Sequence, residues 1–186
     1  SDLANVKTTA ERKGNIVVIN GTKRFCSGSD ISDYIYVLAK SDKNATARQN
    51  LSFVMVPPNM SGITITRIDS MGMKGAATTD VTFDNVEVPF SNVMGEEAGW
   101  NNGWNFLVGP GLDTEKLEVA ALALGVAEAA VSDAWIYAQQ RHQFGSAISS
   151  IQAIRHSLAD VQTQLQACRL MMSQAAWLAD RRLPCR

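Results

Sequence analysis

The sequence has little of several things that whole classes of protein require. Its three cysteines, Cys26, Cys168 and Cys185, are an odd number without a CxxC spacing, so neither a disulfide framework nor a zinc site is indicated. A reducing compartment is the expectation. Only two histidines occur, His142 and His156, and there is no HExxH, no Walker-type P-loop and no GxGxxG. Metal-dependent hydrolysis, Walker-loop nucleotide hydrolysis and ordinary Rossmann binding therefore lack support, and no metal ligands are assigned. An excess of one charge is missing too: 17 Lys and Arg against 18 Asp and Glu leave a formal charge of -1. That balance gives no electrostatic footprint for nucleic acid and no basic cluster for an anionic membrane. No uninterrupted run of about 18 apolar residues is found, so membrane insertion is not expected.

What is present is 186 residues with 46% apolar content, enough for one sizeable core or two small ones. Up to about residue 100, short extended runs alternate with turn residues. Asn15 to Ile19 ends in Asn20-Gly21, a dipeptide suited to a type I′ turn, and Thr22 to Cys26 resumes beyond it, which predicts a hairpin. Further strands are predicted at Tyr34 to Ala39, Ser52 to Val56, Ile63 to Ile68 and Asp80 to Val88. Val81, Phe83, Val86 and Val88 form period-two faces around Asp84-Asn85, and Pro57-Pro58 and Pro89 punctuate the runs. Ser41 to Asn50 is polar enough for an exposed, mobile loop.

After Gly109-Pro110-Gly111 the composition turns to Ala, Leu, Gln and Glu, with no proline until Pro184. Two long helices are predicted, over 114–141 and 149–181. Ile151, Ile154, Leu158, Val161, Leu165, Cys168, Met172 and Ala175 alternate three and four apart, a seam for packing along another helix. The first helix is rich in alanine, so neighbours can approach closely. Two such helices cannot cover both faces alone, which implies a larger bundle completed by more chain or by a second subunit.

Four strings, "INGTKRFCSGSDISDYIYVLAKSD", "MGMKGAATTDVTFDNVEVPFSNVMGEEAGWNNGW", "GLDTEKLEVAALALGVAEAA" and "YAQQRHQFGSAISSIQAIRHSLADVQTQLQACRLMMSQAAWLAD", follow one another in this order. In register over nearly the whole chain, they resemble the middle β-domain and first C-terminal helices of the acyl-CoA dehydrogenase family. The resemblance implies an α+β fold: an antiparallel barrel or sandwich-like β-domain over 1–110, then two helices of a four-helix bundle over 111–186. Family members are about twice this long, so a fragment of a longer chain is expected. It further implies FAD as cofactor, an acyl-CoA substrate and a homodimer or homotetramer. An electron-transferring flavoprotein is the implied partner, and the compartment is the bacterial cytoplasm or the mitochondrial matrix. The family reaction removes the α-proton of an acyl thioester with a carboxylate while hydride passes from the β-carbon to flavin N5.

Site residues are carried over position by position. Phe25-Cys26-Ser27 stands where the family holds the isoalloxazine with an aromatic, an apolar and a hydroxyl residue; from the residues alone the favoured reading is Phe25 as a core side chain and Ser27-Gly28 as a turn, and the resemblance reverses it. Arg141-His142-Gln143-Phe144-Gly145 matches the Arg-x-x-Phe-Gly turn, whose arginine reaches the FAD pyrophosphate of a neighbouring subunit. Gln152 falls where a glutamine approaches the adenosine. Without the resemblance, Arg141 is a cation near a helix C-terminus and Gln152 a solvated residue. Asp113 and Lys116 match positions that contact CoA, and Ser1-Asp2 the end of the family's Gly-Ser-Asp loop, which makes Ser1 a substrate-binding candidate. Glu115 is in register with the glutamate base of the isovaleryl-CoA and long-chain types. Its plainer reading is an acidic residue in a first helical turn, and a base from a C-terminal segment is the rival.

Thr78 and Thr79 either line substrate or hold a strand edge; Trp100 and Trp104 are packing residues, and Trp135 and Trp177 core or interface. The alternatives are an acyl-CoA oxidase, a relative acting on a non-CoA substrate, or a non-catalytic module retaining the fold.

Overall fold

The computed structural model describes residues 2–108 and 112–185; Ser1 and the Gly109-Pro110-Gly111 boundary fall outside the described residues. The chain divides into two compact units between Leu107 and Val108.

The first unit is built on strands β1 (Thr9–Lys13), β2 (Ile16–Ser27), β3 (Ile35–Lys40), β4 (Leu51–Val56), β5 (Ile63–Ile68) and β6 (Thr78–Pro89). They form one six-stranded sheet in the order β4-β3-β1-β2-β6-β5. All pairings are antiparallel except β1 with β3, which meet in parallel at Thr9 and Lys40. Of the barrel or sandwich-like arrangements expected, the closed barrel is not formed: β4 and β5 remain edges of an open sheet. The sheet nevertheless curls around one apolar cluster, because Val37 and Val54 from one end and Val81, Phe83, Val86 and Val88 from the other share that core. Period-two alternation is visible along β6, where Thr79, Val81, Phe83, Val86 and Val88 are buried. Two one-turn helices, α1 (Glu96–Gly99) and α2 (Gly103–Phe106), follow. Trp100 packs near Phe90 with ring centroids 5.7 Å apart, and Trp104 joins the second apolar cluster with Leu38 and Leu51.

The predicted hairpin at Asn20-Gly21 is not formed. The chain runs straight through as β2, and the two-residue turn lies earlier, at Gly14-Asn15, where Gly14 (φ 64) takes the first central position. Asn20 instead faces two residues, Asp84 and Asn85, in a bulge. The Asn85 N–H donates to Asn20 Oδ1 at 2.8 Å, and Asn20 Nδ2 donates to Asn85 Oδ1 at 3.2 Å. Gly21 (φ 130) is required by a close approach, since a Cβ there would lie 2.8 Å from the Thr8 Cα. The predicted Ser41–Asn50 loop joins β3 to β4, and its base is pinned by the Ser41 and Ser52 hydroxyls, 2.7 Å apart.

Arg12 closes the sheet surface onto α1, its guanidinium 3.6 Å from the Phe90 ring centroid and paired twice with Glu97, at 2.8 and 2.5 Å. Hydrogen bonding to Arg12 holds the Glu97 carboxyl below its ordinary range. Because the folded value is the lower one, this contribution is present above the unfolded value of 4.5 and is lost as pH falls through the folded value. The urea midpoint of Glu97→Gln is therefore expected to lie below that of the parent at pH 7, with the gap closing on acidification; a pH-independent gap contradicts this.

The second unit is an antiparallel pair of 29-residue helices, α3 (Leu112–Gln140) and α4 (Gln152–Asp180). Between them lies a two-stranded hairpin, β7 (His142–Gln143) and β8 (Ser146–Ala147). Val131, Ala138 and Leu165 are buried between the helices, and Arg169 Nε donates to Glu128 Oε1 at 2.8 Å. The seam on α4 is only partly covered: Leu165 is buried, but Val161 and Cys168 are exposed. Val119, Val126, Leu170 and Met171 are each more than half exposed. No run of 18 apolar residues is uninterrupted, yet with a mean hydropathy of 1.6 in its most apolar window α3 is long and apolar enough to cross a membrane by length and composition, a test that the core helix of a soluble protein also passes.

Candidate functional site

The C-terminal half of β2 carries the first candidate group. Lys23 pairs with Val81 and Cys26 with Thr79, so Arg24 and Phe25 together oppose the single residue Asp80. This is a second β-bulge. Phe25, the second of the two bulge residues, is left-handed at φ 61, a conformation that favours glycine. A bulky L-residue there costs about 1–2 kcal/mol. The reading of Phe25 as a core residue is overturned, because its side chain is 65% exposed. The neighbouring Cys26 turns inward against the core, and the Thr79 hydroxyl donates to its carbonyl oxygen at 2.8 Å. Thr79 is thus a strand lock, fully buried. Ser27, opposite Thr78, is exposed, and the following turn is fixed by Gly28 N–H donating to Ala77 O at 2.8 Å.

Behind the bulge is a cleft of about 610 Å³ lined by Thr22, Lys23, Cys26, Tyr36, Leu38 and Phe53, among others. Burial dominates its electrostatics: it pushes the Lys23 ammonium down and the Cys26 thiol up, each partly offset by the other. Inspection of the sequence missed Arg24 and Asp80. The Arg24 guanidinium carbon lies 5.1 Å from the Phe25 ring centroid, and its Nε 3.9 Å from Asp80 Oδ1. The only signal was a failure of alternation in Lys23-Arg24-Phe25-Cys26, which marks a bulge but not its cross-strand partner.

The second unit carries the remaining candidates. Asp113 and Glu115 lie in the first described turn of α3, where acidic residues favour the helix dipole, and Lys116 Nζ reaches Asp113 Oδ1 at 3.3 Å. Glu115 is exposed. At the other end of α3, Arg141 leads into β7, its N–H donating to Tyr137 O and its carbonyl accepting from Ile148 N–H, both at 2.8 Å. Phe144 (φ 54) and Gly145 (φ 82) are the two central residues of the β7–β8 turn, the positive-φ pair of a type I′ hairpin. Phe144 is 95% exposed. The Arg141 side chain is exposed and has no ion-pair partner among the described residues. Gln143 is exposed on β7, and Gln152 is exposed at the first position of α4. His142 is exposed too, its Nδ1 3.0 Å from Gln140 O. Helical rise separates Glu115 from Gln140 by roughly 38 Å, at ~1.5 Å per residue. The carboxylate and the guanidinium therefore do not meet on one copy of the chain.

These donor sets fit a flavin dinucleotide. An outward aromatic face beside an exposed hydroxyl suits a planar polar ring, and an exposed guanidinium at the start of a hairpin, without an ion-pair partner among the described residues, suits a phosphate. The acyl-CoA dehydrogenase middle-domain model matches residues 1–86, and the acyl-CoA dehydrogenase C-terminal-domain model matches residues 101–186. The chain belongs to the acyl-CoA dehydrogenase family. It is 35% identical over 185 residues to a probable acyl-CoA dehydrogenase, YngJ, of Bacillus subtilis, covering 99% of this chain and 48% of that protein. It is 34% identical over 182 residues to the CarC subunit of the caffeyl-CoA reductase-Etf complex of Acetobacterium woodii, covering 97% of this chain and 46% of that protein. Among solved structures, the acyl-CoA dehydrogenase of Geobacillus kaustophilus superposes with a TM-score of 0.92 at 28% identity, covering 99% of this chain and 48% of that one. The chain spans about half the length of the curated relatives it matches.

Proposed function

We propose that the whole protein is an FAD-dependent acyl-CoA dehydrogenase that removes hydrogens from Cα and Cβ of an acyl-CoA thioester. The observation that carries this reading is the outward Phe25 at a left-handed bulge beside the exposed Ser27, on a chain of this family. Phe25 packs on one face of the isoalloxazine, and the Ser27 hydroxyl bonds its edge, with Cys26 filling the apolar position between them. FAD, when bound, supplies the acceptor for the β-hydride. Glu115 takes the α-proton on its carboxylate, and substrate binding strips water from a group that is otherwise exposed. Asp113, Lys116 and Ser1 contact the CoA portion.

Arg141 pairs with the pyrophosphate of an FAD held chiefly by a neighbouring subunit, with Gln143, Phe144 and Gln152 beside it. The separation of Glu115 from Arg141 along α3 supports such sharing, as do the uncovered apolar faces of α3 and α4. A homodimer or homotetramer is the assembly proposed. Electrons leave to an electron-transferring flavoprotein, a reading supported by the Etf complex of the Acetobacterium woodii relative. Product analysis tests the reaction: the full-length protein with FAD and an electron acceptor is expected to convert a saturated acyl-CoA to a thioester lighter by two hydrogens. A thioester recovered unchanged across short, branched and long acyl groups contradicts the proposal, and stoichiometric hydrogen peroxide identifies an oxidase instead.

A further inference from the structure

We infer that Arg24 and Asp80 are a positioning pair that holds Phe25 in its left-handed bulge and so sets the aromatic face offered to the flavin; the inference rests on the assignment of Phe25 to the ring.

Phe25 has no reason of its own to stay where it is. At φ 61 it holds a left-handed backbone that favours glycine, and at 65% exposure it gains little from burial. The downstream side of the bulge is locked by the Thr79 hydroxyl on the Cys26 carbonyl. On the upstream side, Asp80 Oδ1 is buried without a hydrogen-bond donor among the described residues, and the nearest cation is Arg24, whose Nε lies 3.9 Å away. The same guanidinium sits 5.1 Å from the centroid of the Phe25 ring. One side chain thereby links the single residue on β6 to the extra residue on β2. The carboxylate draws the guanidinium toward the sheet, and the guanidinium holds the ring by its π face. Asp80 stands opposite the bulge as the one residue that two must share.

A planar guanidinium serves both contacts at once. A lysine ammonium keeps the attraction to Asp80 but loses the flat stacking surface, which predicts a graded series rather than an all-or-none effect.

The test uses the full-length protein, FAD as probe, and two readouts: the FAD dissociation constant and the visible absorption bands of bound flavin. Phe25→Leu is expected to weaken FAD about tenfold and to shift the bands. Arg24→Met and Asp80→Asn should each weaken FAD about fivefold, with a band shift in the same direction. Arg24→Lys should fall between Arg24→Met and the parent. Adding Arg24→Met to Phe25→Leu should do no further harm, since the arginine acts through the ring. Arg24 is largely exposed, so its replacement leaves the core intact. The inference is overturned if Arg24→Met leaves both readouts at parent values while Phe25→Leu alters them, or if the two substitutions add. If Phe25→Leu itself changes neither readout, the assignment of Phe25 to the flavin fails instead.

Discussion

Replacing Glu115 by Gln in the full-length protein is expected to slow flavin reduction by an acyl-CoA by about 10²–10⁴-fold while leaving thioester affinity within a few-fold of the parent. Glutamine keeps the size and hydrogen-bonding reach of the side chain and removes its ability to take a proton. The fold should tolerate the change, because Glu115 is exposed on α3 and the neighbouring Lys116–Asp113 pair is untouched. The loss of one favourable charge at the helix start costs only about 0.3–1 kcal/mol. Stopped-flow reduction under anaerobic conditions reads the rate, and equilibrium titration with the product thioester reads the affinity. A rate equal to the parent's assigns the base to another carboxylate of the longer chain.

The second large effect is expected at Arg141. Charge-assisted hydrogen bonds contribute about 1.5–3 kcal/mol, so Arg141→Gln should raise the FAD dissociation constant by roughly 10- to 100-fold. The backbone around it is held by the Tyr137 and Ile148 contacts, neither of which uses the side chain, so the hairpin should survive the substitution. Added salt should narrow the difference, since screening weakens the parent's phosphate contact and not the variant's. Arg141→Lys should recover part of the affinity, because it restores the charge without the fork. Fluorescence titration of FAD at low and high ionic strength checks all three statements. Parent-like affinity in Arg141→Gln removes the guanidinium from the phosphate site.

Much of this molecule could be read from its residues, and the failures have physical causes. The predicted strand at Ile63 to Ile68 coincides with β5, and β3, β4 and β6 differ from expectation only at their ends, because alternating apolar residues have no other way to bury one face. The helices, too, lie where the change to alanine- and leucine-rich composition puts them. Strand β1 went unseen because Thr9-Ala10-Glu11-Arg12-Lys13 is mostly polar and buries only Ala10. Asn20-Gly21 looked like a turn because the residues that suit a type I′ turn also suit a bulge, and only the partner strand, with Asp84-Asn85 opposite, decides between them.

The candidate site divides in the same way. The resemblance to the family, and not the residue types by themselves, carried Phe25, Arg141 and Glu115 as candidates. The Arg24–Asp80 pairing depends on which residue of β6 faces the bulge, and that register is a property of two strands more than fifty positions apart in the chain. The outward turn of Phe25 was equally hidden, since a phenylalanine in a strand is ordinarily buried.

The most direct test of the central claim is the visible spectrum of the full-length, FAD-loaded protein, recorded anaerobically before and after addition of acyl-CoA thioesters of graded length and branching. Bleaching of the flavin band by one class of thioester, lost in Glu115→Gln, is the predicted result. Bound flavin that no thioester bleaches would contradict the account.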